Sequence, residues 1–519
     1  MNEILTSLFP LQNSWLLIVT FLLATVSIVL HYQNKDKWAV ACLFFTALGL
    51  RLFMAHLDPF LHDWDERYHA LVARNMMDHP LVPMLRTHPL LPYDFTAWCC
   101  NHVWLHKQPL FMWQMALSMK LFGVPEYAIR YPSVLMGAIG VLLIYRIALL
   151  MTANKRIAFI AALLTCFSYY HLEMVAGYFG MDQNDVAFDF YVLASIWAYA
   201  EYRKKASAKW IVLIGVFAGC AVLNKWLTGL LVYAGWGLNI LFTLKDRQSR
   251  KEIIHLILSL VVCAIVFVPW QLYILHTFPT EAHYELAYNS KHIWEAVEGH
   301  KGDNWYYYDF FNLYFGNYIW LLLPIGLLVL LFAKYYRNKT SIAVVTCFVA
   351  VFIFFSLIAQ TKIYCYMMVV VPLGYILMAI GVYHLLVLTT LRRWLYIPVM
   401  MTVALTVFRL PDITEEHDAK ILSNNWALKT QRTKVYKHLK ESVPPNTNVI
   451  LNVPEYEEVE LMFFNKGIEA FAWCPNKKDF DQYLAKPENH IAAFHGQNGH
   501  VAEPYILQDK RIFIIPIDL

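Results

Sequence analysis

Charge is scarce in this 519-residue sequence: Asp, Glu, Lys and Arg make up 15% of it, against 59% hydrophobic residues and a mean hydropathy of +0.43. So few charges cannot clothe an ordinary soluble globule of this length. Charge of one sign is lacking too, since 42 Lys and Arg face 38 Asp and Glu. The small excess sits in short loops, which argues for membrane orientation and excludes a nucleic-acid partner. Cysteine supplies only nine residues, an odd count, and Cys42, Cys166, Cys220, Cys263 and Cys347 lie inside apolar runs where they read as core. No disulfide framework is implied. Cys99, Cys100 and Cys474 fall in segments expected outside the cytoplasm, where a bridge is open but a structural role suffices. No basic stretch precedes the first apolar run and no small-residue cleavage site follows it, so it reads as a retained membrane helix. Internal repeats and low-complexity segments are also missing.

What the sequence has in abundance is apolar runs long enough to cross a bilayer as helices. They lie near 14–31, 38–56, 131–152, 157–173, 186–202, 209–225, 226–243, 253–275, 318–334, 341–359, 365–388 and 394–410, twelve in all. Alternate connections carry the basic residues: Lys35 and Lys37; Lys155 and Arg156; Arg203, Lys204, Lys205 and Lys209; Lys245, Arg247, Arg250 and Lys251; Lys334, Arg337 and Lys339; Arg392 and Arg393. The positive-inside rule places these in the cytoplasm and puts both termini and the connections 57–130 and 276–317 on the opposite side. Within 57–130, Glu66–Met77 and Leu110–Phe122 show helical apolar spacing with polar interruptions, which predicts helices along the membrane interface. Past residue 411 a charged helix over Trp426–Ser442 precedes short strands at Val449–Val453, Ile468–Trp473, His490–Phe494 and Arg511–Ile517, a small α/β domain with partly parallel strands. The expected fold is a polytopic α-helical membrane protein of about twelve transmembrane helices over residues 1–410, with a non-cytoplasmic α/β domain over 411–519.

Ionisable groups at the edges of apolar helices are costly unless paired or hydrated, which makes them candidates for function. The outer face collects Asp63, Asp65, Glu66, Lys107, Asp182, Asp185, Lys225 and Lys362. Carboxylates beside lysines suit a transfer in which an acceptor hydroxyl loses a proton while a phosphate leaves with negative charge. The alternative is a set of interfacial ion pairs and snorkelling lysines.

Asp65-Glu66-Arg67-Tyr68-His69-Ala70 resembles the Asp-Glu opening of the first outer loop in GT-C glycosyltransferases, most of all the protein O-mannosyltransferase and lipid A aminoarabinose transferase superfamily. His106-Lys107-Gln108-Pro109-Leu110 resembles its Lys-x-Pro segment, and Arg130-Tyr131-Pro132-Ser133 its Arg-x-x-Ser start of the next span. Asn184-Asp185 stands where the second loop aspartate would, Leu223-Asn224-Lys225-Trp226 is similar to the Thr-Lys-Gly element, and Thr361-Lys362-Ile363-Tyr364 with Val371-Pro372 is similar to the late Lys-x-x-x-Tyr and Pro segment. The resemblance runs in family order over 57–390. It implies a polyprenyl-phosphate-linked sugar donor, an inverting transfer, Asp65, Glu66 and Asp185 as catalytic carboxylates, and Lys107, Lys225 and Lys362 on the donor phosphate. Asp182, His69, Tyr364, His292 and His300 are candidate substrate-binding residues.

Three departures from the family bear on the substrate. His69 replaces a Tyr, Gln108 separates Lys107 from Pro109, and Asn224-Lys225-Trp226 replaces Thr-Lys-Gly. Asp182 has a second reading as a helix N-cap. His62, His69, His102 and His106 bracket the acids and with them could hold a divalent zinc or manganese ion, although their spacing matches no standard ligand set, and the expected metal content is none. The aromatic run at Trp305, Tyr306 and Tyr307 could cover the donor or form an interfacial belt. A transporter or lipid flippase is the rival, but it would carry its ionisable groups in broken helices at mid-membrane. A non-catalytic scaffold would need no such convergence. The acceptor remains open among glycolipid, glycan and protein, and the compact chain without eukaryotic retrieval signals favours a bacterial inner membrane.

Overall fold

A chain this apolar must satisfy its own backbone polar groups, and helices do so within single segments. The computed structural model describes residues 14–87, 93–96, 101–177, 182–244, 248–388, 395–409, 413, 425–472 and 477–519. Cys99, Cys100, Cys474, Lys245, Arg247, Arg392 and Arg393 lie outside the described residues. The chain divides into two compact units, one of Met1–Leu57 with Tyr131–Thr414, the other of Asp58–Arg130 with Glu415–Leu519.

The first unit is helical. Among the described residues, seven helices are long and apolar enough to cross a membrane, or eight if the bent pair Lys155–Cys166 and Tyr169–Ala176 is one span. Shorter apolar helices cover Ile319–Phe332 and Tyr396–Phe408, and Gln183–Lys204 is helical but more polar. The chain is an integral membrane protein by these helices, with fewer qualifying segments than the twelve apolar runs suggest. Part of the difference is a reversal. The stretch Ala208–Phe242 is interrupted at Trp226, whose φ of 60° no helix allows. A Cβ on Gly229 would lie 2.6 Å from the Val222 nitrogen, whereas seven residues of straight helix would separate these positions by about 10 Å. The chain therefore folds back on itself here, and Ala208–Lys225 and Leu231–Phe242 are separate segments.

A second break, of 41°, follows Cys166, where the Ser168 side chain caps the next helix by accepting from the His171 amide at 3.4 Å. Small residues allow a close helix contact: a Cβ on Gly326 would strike the Leu377 carbonyl, and one on Gly381 would lie 2.5 Å from the Leu322 carbonyl oxygen.

The second unit joins segment 58–130 to the tail. The helices Asp65–Met76 and Pro109–Phe122 pack together, and the tail helix Glu457–Phe464 packs on Asp65–Met76. The tail sheet comprises β1 (Val449–Leu451), β2 (Glu469–Ala470), β3 (Ile491–Gln497), β4 (His500–Val501) and β5 (Phe513–Asp518). β1 runs parallel to β2 and β3, and β3 parallel to β5, with the helices Glu457–Phe464, Lys477–Leu484 and Pro504–Leu507 in the connections between them. The two-residue β4 closes antiparallel on β3 through a tight turn at Asn498 and Gly499, both at positive φ, and is too short to read from periodicity. The strand core is Val449, Leu451, Phe471, Phe480, Ile491, Ala493, Ile506 and Ile512.

Candidate functional site

In segment 58–130, the Asp65–Met76 helix starts abruptly. Trp64 holds φ 66° and ψ −120°, and the chain turns straight into Asp65 and Glu66. Carboxylates in a first turn meet the unpaired amides and the positive end of the helix dipole. Lys107 arrives just ahead of Pro109, which starts its own helix after an extended Gln108. Its Nζ donates to Asp65 Oδ2 at 3.2 Å, with both side chains partly exposed. Burial would raise the Asp65 carboxyl, but Lys107, His69 and His106 outweigh it and hold the group well below the usual carboxylate range.

Glu66 is buried and fully engaged. Arg130 donates from Nε at 2.6 Å to Oε1 and from a terminal nitrogen at 3.2 Å to Oε2, while the His62 amide donates at 2.6 Å. Burial again opposes ionisation, and Arg130 and His62 override it, bringing the Glu66 carboxyl down to about 2. Arg130 also caps the Asp58 and Phe60 carbonyls at 3.0 and 2.7 Å. The His62 ring lies between Asp58 at 2.9 Å and Glu66 at 3.2 Å; burial lowers its pKa, but the two acids prevail and raise it. Glu66 is thus the immobile partner of the Asp65-Glu66 pair.

In the helical unit, Asp185 sits in the first turn of Gln183–Lys204 and pairs with Lys225, whose ammonium lies 5.6 Å from the Tyr366 ring centroid. Tyr366 shares a 3.3 Å contact with His292 Nδ1. His292 and His300 are tied to the late segment by their carbonyls, which accept from the Thr361 and Lys362 amides at 3.1 Å each. The structure therefore links Asp185, Lys225, Tyr366 and His292 side by side, with Lys362 and Tyr364 in the adjoining turn. Lys362 gives two ammonium hydrogens to the Phe355 and Ser356 carbonyls, at 2.5 and 2.8 Å, at the end of the Phe354–Ile358 turn. Burial lowers its pKa. The Tyr364 ring stacks on Phe310 at 5.5 Å, and its carbonyl accepts from Tyr170 and Tyr314 at 3.1 and 2.9 Å.

Asp182 is the N-cap of Gln183–Lys204, accepting from the Asn184 amide at 3.2 Å. His69 is buried edge-on to Trp104 at 5.2 Å. Sequence reasoning missed the parts played by Arg130, His62 and Tyr366. Arg130 lay inside a quoted motif and Tyr366 two residues beyond one, yet only the fold pairs them with their partners. Among the described residues no three His, Cys, Asp or Glu side chains gather as a metal site. Asp58 and Glu66 occupy opposite nitrogens of His62 and so do not converge on one point.

Residues 106–273 match the dolichyl-phosphate-mannose-protein mannosyltransferase family. The ArnT structure from Cupriavidus metallidurans, solved bound to undecaprenyl phosphate, superposes with a TM-score of 0.59 at 16% identity, over 86% of this chain and 88% of that one. This chain has the GT-C membrane fold. The archaeal oligosaccharyltransferase AglB from Archaeoglobus fulgidus shares that GT-C fold at a TM-score of 0.52 and 13% identity, over 84% of this chain and 65% of that one. Among curated relatives, the undecaprenyl phosphate-alpha-4-amino-4-deoxy-L-arabinose arabinosyl transferase 2 of Proteus mirabilis is 28% identical over 269 residues. That match spans 49% of the GT-C chain described here and 46% of the relative, so the chain covers about half the length of the curated protein it resembles.

Proposed function

We propose that the chain is a glycosyltransferase that moves a sugar from a polyprenyl-phosphate donor to a hydroxyl acceptor on the outer face of a bacterial inner membrane. The observation that carries this reading is the Asp65–Lys107 ion pair at a helix start, braced from below by Glu66 and Arg130. A carboxylate held so far down is a poor base while Lys107 is its partner. A donor phosphate entering the site competes for the Lys107 ammonium, and releasing that contact lets the Asp65 carboxyl rise towards the range in which it accepts a proton. The acceptor oxygen then bonds to the anomeric carbon from the face opposite the phosphate, its proton passes to Asp65, and the carbon–oxygen bond to phosphate breaks with both electrons leaving on polyprenyl phosphate. The sugar configuration inverts. Within the unit that holds Asp65, Lys107 is the proposed ligand of that charge and His69 the proposed substrate contact. Within the helical unit, Lys225, kept aimed by Asp185, and Lys362 with its remaining hydrogen are the proposed donor-phosphate lysines, and His292, His300, Tyr364 and Asp182 the proposed substrate contacts. The reaction balances without a metal.

The curated relatives named for undecaprenyl-phosphate sugar transfer support this donor class, and the twelve-run basic-residue pattern supports a periplasmic site. The acceptor is a glycolipid, glycan or protein hydroxyl. Membranes carrying the wild type should transfer label from a polyprenyl-phosphate sugar, and the Asp65→Asn variant should not. A wild type inert across hexosyl and pentosyl donors refutes the reading.

A further inference from the structure

The turn that presents Asp65 is strained, and the tail domain holds it there. Trp64, directly before Asp65, sits at φ 66°, a conformation that costs a bulky residue energy and persists only where surroundings enforce it. Its ring packs 4.5 Å from that of Tyr456, which is itself at φ 67°. Two strained aromatic residues nearly 400 positions apart thus brace one another. Tyr456 is anchored in turn, because its carbonyl accepts from Arg67 at 3.3 Å, two residues past Asp65. One turn along the tail helix, Glu460 accepts from the Leu61 amide at 3.2 Å, from Thr433 at 2.7 Å and from the Arg67 guanidinium at 3.2 Å. Glu460 and Arg67 are both buried. The tail therefore grips the peptide on both sides of Asp65, at Leu61 before it and at Arg67 after it.

We infer that Tyr456 and Glu460 are positioning residues for the Asp65 carboxylate, which gives the tail domain a part in the transfer step as well as in folding. The inference rests on the proposed function for its kinetic arm only. Tyr456→Gly removes the ring but suits the positive φ, so the fold should survive it; Tyr456→Phe keeps the ring. Full-length protein in detergent is compared for thermal unfolding, amide exchange over residues 61–66, and transfer kinetics. Tyr456→Gly should unfold at the wild-type temperature, exchange faster at 61–66, and lose about 10- to 100-fold in kcat, the range expected for a reactive group displaced by about 1 Å, with donor KM unchanged. Tyr456→Phe should match the wild type in all three. Glu460→Gln should reproduce the faster exchange and the kcat loss. Unchanged exchange at 61–66 in both Tyr456→Gly and Glu460→Gln overturns the inference, as does a wild-type kcat in folded Tyr456→Gly. Should the wild type itself transfer nothing, the proposed function fails, and the exchange arm alone still decides whether the tail fixes this turn.

Discussion

Replacing Arg130 by Met should destabilise the unit formed by 58–130 and the tail more than any other single change near the site. Arg130 is fully buried and donates twice to Glu66 and once each to the Asp58 and Phe60 carbonyls. Its removal leaves a carboxylate buried with His62 as the nearest cation and strips two carbonyls of their donor. Breaking a buried pair from one side costs about 3–5 kcal/mol. With about 2–4 °C lost per kcal/mol in a cooperative unit of this size, the unfolding temperature should drop by about 6–20 °C. The pH dependence supplies a second check. In the wild type the Glu66 carboxyl is held down to about 2, so its stabilising contribution is complete above the ordinary carboxylate range and is lost only as pH falls through about 2. In Arg130→Met, burial acts unopposed by the guanidinium and pushes the same group up, so the defect should be largest at neutral pH and shrink as the buffer is acidified. Fluorescence-detected thermal unfolding in detergent measures both, and the double variant Arg130→Met/Glu66→Met should recover most of the loss. A single variant within about 2 °C of the wild type at pH 7 would refute the reasoning, since the expected cost is several times larger.

Lys107→Ala should move the acid limb of the pH–rate profile upward, because Lys107 is the strongest of the charges that hold the Asp65 carboxyl down; an unmoved limb would separate the two residues functionally. His62→Gln should abolish an alkaline decline in stability: the His62 pKa is raised, so its contribution is complete below the ordinary histidine value and fades as pH climbs through the folded-state value. Gly326→Leu should abolish accumulation of folded protein, since even a Cβ there meets the Leu377 carbonyl, and size-exclusion profiles from membranes would report it.

The polytopic helical character and the reversal near Lys225 were legible because they depend on local composition, although fewer helices qualify as spans among the described residues than the twelve apolar runs. The tail strands were legible because β-branched and aromatic residues alternate with turns. Asp65, Lys107, Asp185 and Lys225 were legible as residue types on one expected face, and the structure pairs them two by two. What could not be read were partners remote in sequence. Glu66 meets Arg130 across 64 positions and Arg67 meets Glu460 across nearly 400, and no local pattern encodes either pair. The Arg67–Glu460 pair is one of the contacts that join 58–130 to the tail in one compact unit, whereas composition suggested only a boundary near residue 411. Lys362 teaches the same lesson in reverse. Its type and place suggested a phosphate ligand, while two of its three hydrogens serve the carbonyl end of a helical turn.

The account stands or falls on the Asp65 carboxylate. Purified wild-type protein and Asp65→Asn, matched for folded amount, should be given radiolabelled polyprenyl-phosphate sugars and acceptor-containing membranes. The account predicts transfer by the wild type and loss of about 100-fold or more in the variant, the size expected when a positioned general base is removed. Equal transfer by both proteins would contradict it.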